Sequence, residues 1–243
     1  MSIIKLDGYN LSLEDLIKVS RFNHKVELTE NAVERIKKSR AIVDDLVENE
    51  KVSYGITTGF GKFSDVVISK KDTHKLQINL IRSHACGVGN PLSEEIVRAM
   101  MLLRINALSK GYSGIRLETL QILIDMLNKG VHPIVPEKGS LGSSGDLAPL
   151  SHMVLTMIGE GEAIYKGEKM SSKDALEKAG IKPLEYLSSK EGLSLNNGTQ
   201  CMTAIGAITA YDAINLMKTA DIALGLTMEG LNGITCAMDE RVH

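Results

Sequence analysis

The chain has 243 residues, of which 43% are hydrophobic and 24% charged, and its formal net charge is −2. This is the composition of an ordinary globular protein with room for one large domain or two smaller ones. It lacks the basic excess that nucleic acids or anionic membrane surfaces attract, and no apolar run is long enough to span a bilayer. We therefore expect neither nucleic acid nor a membrane as a partner.

The three cysteines, Cys86, Cys201 and Cys236, are widely spaced and form neither a CxxC pair nor a zinc pattern. An odd number of cysteines without a secretory leader favours reduced thiols, and residues 1–7 contain no apolar segment of the signal-peptide type. These features predict a cytoplasmic protein. No metal and no nucleotide cofactor is expected.

Apolar residues recur at helical spacing through much of the chain, between turn signals rich in glycine. In chain order, helices are predicted after the capping box at Ser12 and over Thr29–Glu48, Lys71–Arg82, Glu94–Ser109, Ile115–Lys129, Leu147–Ile158 and Ser172–Gly180. Extended chain is predicted for Val131–Glu137, and a hairpin or exposed loop for Ala163–Met170. The segment Leu187–Gly198 is predicted to be irregular, and Thr199–Leu231 a long buried helix. The predicted fold class is mainly α with minor β.

A Gly/Ser-rich turn over residues 139–145 leads directly into the helix that begins after Asp146. Asp146 is a good N-cap residue, and the helix N-terminus stabilises negative charge that develops beside it. Gly145 has no side chain to block a close backbone approach, so its amide could attack a neighbouring carbonyl. An ordinary turn before a helix is the other interpretation of this segment alone.

The sequence Ser-Ser-Gly-Asp-Leu-Ala-Pro-Leu-Ser-His at residues 143–152 resembles the signature of the aromatic amino acid ammonia-lyases. In that family an Ala-Ser-Gly triplet cyclises to 4-methylideneimidazol-5-one (MIO), an electrophilic prosthetic group. The resemblance implies that the nitrogen of Gly145 attacks the carbonyl of Ser143 and that Ser144 loses water. Ser143 stands where the family usually has Ala, which the ring tolerates because it uses only backbone atoms of that residue.

A glycine-rich loop, Tyr-Gly-Ile-Thr-Thr-Gly-Phe-Gly, occupies residues 54–61. It resembles the family's loop whose tyrosine is the base, so Tyr54 is implied to take the substrate's β-proton. Histidine-specific members often carry Asn where this chain has Thr57. A packed tyrosine in a flexible loop is the other interpretation, whereas a phosphate-binding P-loop is excluded because its glycine spacing and its Lys-Ser/Thr pair are missing.

Two further segments resemble family motifs. The pair Ser83-His84 matches the selectivity segment of histidine-specific members, which implies that both residues bind the substrate and that His84 recognises an imidazole. Alone, His84 would more often be a hydrogen-bonded structural residue. Asn197 occupies the asparagine position of a Leu-x-Asn-Gly-Thr motif and is implied to hydrogen-bond MIO or the substrate, although Asn197-Gly198 also suits a simple turn.

The resemblance covers essentially the whole chain and implies an ammonia-lyase/aspartase-like fold. It implies an MIO and active-site domain at residues 1–198 and the start of a helical bundle at residues 199–243. The implied reaction converts L-histidine to trans-urocanate, in a homotetramer or with a C-terminal half on a second chain. An MIO lyase or aminomutase acting on tyrosine or phenylalanine, and a non-catalytic fragment or helical interaction module, are the other interpretations. Whether MIO adds to the amine or to the ring stays open.

Overall fold

The computed structural model describes residues 3–53, 55–59, 70–141 and 145–242. Its helices are α1 (Leu13–Phe22), α2 (Glu30–Glu48), α3 (Lys70–His84), α4 (Glu94–Ser109), α5 (Leu117–Lys129), α6 (Leu147–Met157), α7 (Ser172–Lys178), α8 (Glu191–Asn196) and α9 (Gln200–Gly230). Two short 3-10 helices follow, at Thr235–Met238 and Glu240–Val242. The predicted mainly α class is confirmed.

The strands are short and form small sheets beside the helices. They are β1 (Ile4–Leu6), β2 (Val26–Leu28), β3 (Val88–Pro91), β4 (Val131–Pro133), β5 (Pro136–Lys138), β6 (Glu162–Tyr165) and β7 (Glu168–Ser171). Strands β1 and β2 pair in parallel, β3 pairs with β5, and β4, β6 and β7 form an antiparallel sheet in that order. The predicted hairpin at Ala163–Met170 is confirmed as β6–β7.

The chain divides into two compact units, Met1–Ile205 and Gly206–His243. In the first unit the core is built around α4, in which ten of 16 residues are buried. Helices α1, α2 and α5 pack against α4, while α6 packs against α3 and α8. This second cluster of helices carries the motifs that the sequence singles out. The domain boundary after residue 198 stays a prediction.

Local signals in the sequence fix several helix ends. The Ser12 hydroxyl accepts a hydrogen bond from the Asp15 amide at the start of α1, as the capping pattern predicts. Gly130 ends α5 in the left-handed conformation, with φ at 75°. Glycine is favoured there because it has no Cβ to strain that backbone geometry.

The prediction of irregular structure throughout Leu187–Gly198 is wrong, because residues 191–196 form α8. Its first residue, Glu191, is completely buried and pairs with Arg116 at 2.7 Å. The Glu191 carboxylate also accepts a hydrogen bond from the Ser188 amide. The tertiary pair with Arg116 and the local contact with Ser188 together outweigh the weak helix preference of the glycine and asparagine residues in this segment.

The prediction that the whole helix from Thr199 to Leu231 is buried is also wrong for this chain. Helix α9 exists, but its apolar side chains in the second unit are exposed, with Leu216 at 70%, Met217 at 69% and Leu226 at 68%. Periodicity and apolar composition predict the helix, whereas burial depends on a neighbour. The described residues supply none for these side chains.

Candidate active site

Gly145 and Gly198 lie in direct backbone contact. Gly145 is buried with φ at +90°, and a Cβ added there would overlap the Gly198 carbonyl oxygen and lie 2.8 Å from its carbon. Only glycine fits both the conformation and the space. Gly145, the last residue of the predicted cyclising triplet, therefore meets Gly198 of the predicted Asn-Gly motif.

The carboxylate of Asp146 does not cap its own helix, which corrects the sequence-based interpretation. One oxygen accepts a hydrogen bond from the Ser140 hydroxyl at 2.5 Å, and the other accepts from the Met202 amide at 2.9 Å. Met202 lies in the first turn of α9, whose free N–H groups need acceptors. Asp146, which is completely buried, thus joins the turn at Gly145 to the start of α9.

A buried thiol lies in the electrostatic field of Asp146. Burial, and to a lesser degree the Asp146 charge, raises the pKa of Cys201 to about 11. Cys201 is therefore a protonated thiol at neutral pH, and it is buried in the first turn of α9. This places it among packing residues rather than nucleophiles.

The two asparagines at the end of α8 have different environments. Asn196 is completely buried and donates a hydrogen bond from its amide nitrogen to the Ser151 hydroxyl at 3.2 Å, while its amide oxygen has no partner in the described part of the chain. Asn197, the motif residue, is exposed and leaves α8 in an extended conformation. Its side chain is therefore available to a ligand.

His84 is the last residue of α3 and is half-buried. Its Nδ1 lies 2.8 Å from the Leu80 carbonyl and 3.0 Å from the Ser83 hydroxyl, which itself donates to the Leu80 carbonyl. Because a carbonyl can only accept, Nδ1 carries the proton in this network, and neutral His84 has an acceptor at Nε2. Among the described residues, Nε2 has no hydrogen-bond partner.

The segment after His84 is held by His152 on α6. The backbone N–H of Gly87 donates to Nε2 of His152 at 3.0 Å, and burial lowers the pKa of His152. A Cβ at Gly139 would approach within 3.0 Å of the Gly87 Cα and within 3.2 Å of the Ala148 side chain. The predicted selectivity segment and the segment preceding the cyclising turn therefore converge on α6. His152 is the last residue of the segment at residues 143–152 that resembles the family signature, but the sequence alone indicates no role for it.

Two threonines hold the chain on either side of Tyr54. Thr57 accepts a hydrogen bond from the Ser53 amide at 2.9 Å and donates to the Lys51 carbonyl at 2.7 Å. Thr58 accepts from the Gly55 amide at 3.3 Å. Thr57 therefore anchors this loop.

Three of the predicted site residues, Tyr54, Ser143 and Ser144, lie outside the described residues. Within the described ranges, no cluster of His, Cys, Asp and Glu side chains has the arrangement of a metal site. None of the helices in those ranges combines the length and hydrophobicity that a membrane span requires.

Comparison with known proteins identifies the class of this fold and site. A family model described as aromatic amino acid lyase matches residues 11–243. A histidine ammonia-lyase of Alkaliphilus oremlandii (strain OhILAs) is 67% identical over all 243 residues, which span 48% of the relative. The chain belongs to the aromatic amino acid lyase family.

Solved structures show the same fold. The crystal structure of histidine ammonia-lyase from Trypanosoma cruzi has a TM-score of 0.91 and 38% identity, covering 100% of this chain and 46% of that one. Pantoea agglomerans phenylalanine aminomutase has a TM-score of 0.90 and 39% identity, with the same coverage. The chain thus spans about half the length of the relatives it matches.

Proposed function

We propose that this chain is the N-terminal half of a histidine ammonia-lyase, a carbon–nitrogen lyase that converts L-histidine to trans-urocanate and ammonia in histidine catabolism. The observation that carries the proposal is the whole-chain identity to histidine ammonia-lyases. The 67% identity to the Alkaliphilus oremlandii relative is much higher than the 39% identity to the phenylalanine aminomutase, whereas the histidine ammonia-lyase of Trypanosoma cruzi and that aminomutase are about equally similar to this chain. The contact between Gly145 and Gly198 supports the same conclusion from geometry.

The proposed prosthetic group is MIO, formed from Ser143, Ser144 and Gly145. In the ring closure, a bond forms between the Gly145 nitrogen and the Ser143 carbonyl carbon. The carbonyl oxygen leaves as water with the amide hydrogens of Ser144 and Gly145, which leaves a double bond between that carbon and the Ser144 nitrogen. Ser144 loses its hydroxyl and its Cα hydrogen as a second water. When formed, MIO would supply the electrophile that ordinary side chains lack, for the substrate's amine or its ring.

The residues around this group have separate tasks in the proposal. The exposed side chain of Asn197 is available to hydrogen-bond MIO or the substrate. His84 offers the free Nε2 as acceptor for an imidazole N–H of L-histidine, and Ser83 helps to fix the His84 ring through Nδ1. Tyr54 accepts the β-proton, for which its pKa must fall below the usual value of about 10.

Action on tyrosine or phenylalanine, by a lyase or an aminomutase, is the second candidate function. The likeness to the phenylalanine aminomutase favours it. The Ser83-His84 pair favours the histidine reaction, because a site that hydrogen-bonds an imidazole rejects rings that leave its polar groups unpaired. Comparing turnover of the three amino acids separates the candidates.

We further propose that the active assembly includes a C-terminal half, either in a longer chain or as a second chain, and that it is a homotetramer. The exposed apolar residues of α9, including Leu216, Met217 and Leu226, support this because such surfaces are normally covered. The cytoplasmic location stays a prediction from the sequence.

The experiment that tests the proposal is a urocanate assay, read by ultraviolet absorbance. It is run on the chain with and without the C-terminal half, alongside size-exclusion chromatography. We expect little activity and self-association for the chain alone, and histidine turnover when the half is supplied. A non-catalytic helical module would show no turnover in either case, and a fully active monomer would contradict the proposed assembly.

A further inference from the structure

Arg104, on α4, is a buried cation beside the proposed site. Its side chain is only 5% exposed, and it forms no ion pair with a carboxylate among the described residues. Burial lowers its pKa to about 10, so it still carries its charge at neutral pH. Burying a charge that has no ion-pair partner costs free energy, unless hydrogen bonds to its donor groups offset that cost. The contacts of this guanidinium therefore indicate its role.

The guanidinium bridges the turn between α8 and α9. Nη1 donates a hydrogen bond to the side-chain oxygen of Gln200 at 2.9 Å, and Nη2 donates to the carbonyl of Ser194. Ser194 lies in α8 and Gln200 is the first residue of α9. Arg104 thus holds both sides of the Asn197-Gly198 turn through one rigid planar group.

Gly198 is the point where this bridge meets the cyclising turn. A Cβ at Gly198 would overlap Nη1 of Arg104 and the Gln200 side-chain oxygen, so the guanidinium lies directly against its backbone. The carbonyl of the same residue accepts from the Asp146 amide and abuts Gly145. A continuous set of contacts therefore runs from Arg104 through Gly198 to Gly145.

We propose that Arg104 is a positioning residue that holds the Asn197-Gly198 turn against Gly145, so that ring closure at residues 143–145 depends on it. The inference rests on the proposed function. Ring closure requires the Gly145 nitrogen and the Ser143 carbonyl to be held at reacting distance. Small displacements of reacting groups cost about 10²-fold in rate. A loosened α8–α9 turn removes the surface against which Gly145 packs.

The chain offers a matched control on the same helix. Arg98 is also buried, at 2% exposure, and burial lowers its pKa. Its guanidinium donates to the carbonyls of Val19 and Leu127, so these hydrogen bonds join it to α1 and α5 instead of the α8–α9 turn. Arg98→Met and Arg104→Met therefore remove the same kind of group at comparable burial.

The test follows ring closure by mass, independently of activity. The protein is synthesised with its C-terminal half, sampled over time and cleaved after Lys and Arg, and the peptide over residues 139–166 is weighed for the loss of two waters. We expect Arg104→Met to slow this loss by about tenfold or more, while Arg98→Met leaves its rate near that of the parent. Thermal denaturation of each variant records any loss of stability.

Two variants that disturb the structure less than Arg104→Met allow the positioning role to be tested even if Arg104→Met does not fold. Arg104→Lys keeps the charge but cannot donate as a fork to both partners, and Gln200→Leu removes one partner while leaving Arg104 in place. Both are expected to show slower ring closure, to a smaller extent than Arg104→Met. Parent-like rates in both variants would overturn the inference.

The remaining outcomes separate this inference from the proposed function. Equal slowing by Arg98→Met and Arg104→Met at equal stability would overturn the positioning role, because the effect would then follow stability alone. If the parent cyclises and Arg104→Met cyclises at the same rate, only the inference fails. If the parent never loses the two waters, the proposed function fails and the inference falls with it.

Discussion

The backbone N–H of Asp146 donates a 2.6 Å hydrogen bond to the carbonyl of Gly198. This bond joins the turn before α6 to the turn before α9, and the Asp146 carboxylate reinforces it through the Met202 amide. Two motifs that are far apart in the sequence thus form one local structure. The proposed chemistry depends on this junction.

Replacing the Asp146 carboxylate should destabilise the fold. Asp146→Ala leaves the Ser140 hydroxyl and the Met202 N–H without their acceptor, and we expect the free energy of unfolding to fall by about 2 kcal/mol. Denaturant titration measures the change. Glu177→Ala, which removes an exposed carboxylate from α7, is the control and should change the free energy of unfolding by no more than about 0.5 kcal/mol.

Loss of the Tyr54 hydroxyl should affect turnover rather than binding. In the assembled enzyme, we expect Tyr54→Phe to lower kcat on L-histidine by at least about 10²-fold, because a phenyl ring cannot accept a proton. The dissociation constant of the substrate should change far less. Steady-state kinetics and equilibrium binding separate the two quantities, and normal turnover by the variant would exclude Tyr54 as the base.

His84→Leu should alter the choice of substrate. The change removes the free Nε2 acceptor, so we expect weaker turnover of L-histidine and relatively better turnover of phenylalanine or tyrosine. Ratios of kcat/KM for the three amino acids measure the effect. Ser83→Ala is the matched control, because it removes only a neighbour of Nδ1 and should shift the ratio less. A parent enzyme with equal rates on all three substrates would refute the assignment.

The free energy of unfolding should decrease as the pH is lowered, because of His132. Burial lowers its pKa to about 4, against the opposing charge of Glu94, whose carboxylate lies 3.0 Å from Nε2. The unfolded chain then binds more protons than the native one between about pH 6.5 and 4, so the free energy of unfolding decreases as pH falls through that range.

The contribution of His132 to the pH dependence of stability can be measured by comparing the parent with His132→Gln. The contribution of His132 is at most about 3 kcal/mol across the interval, at 1.36 kcal/mol for each pKa unit. We expect His132→Gln to show a shallower fall in stability than the parent in denaturant titrations at successive pH values. If the free energy of unfolding depended on pH in the same way in the parent and the variant, His132 would not have the lowered pKa.

The sequence predicts local structure well where the signals are local. Ser12 at the start of α1, Gly130 at the end of α5 and the β6–β7 hairpin all follow from caps, turns and periodicity. Helix α8 was missed because a distant partner, Arg116, stabilises its first residue. The Asp146 carboxylate was assigned to the nearer helix because its true partner, Met202, is adjacent only in the folded chain.

The same distinction applies to the site. Family motifs singled out Gly145, Asn197 and His84, and the contact between Gly145 and Gly198 brings two of those motifs together. The sequence assigns no role to Arg104, because a charged residue in an apolar helix carries no local sign of what it contacts. Its partners become visible only from the way α4 packs beside the α8–α9 turn.

The mass of the peptide over residues 139–166, taken from the protein assembled with its C-terminal half, decides whether MIO forms. We expect a mass lower than the sequence mass by two water molecules, and we expect Ser144→Ala to restore at least one of them. A folded assembly whose peptide has the full sequence mass would contradict the formation of MIO, and with it the proposed lyase mechanism.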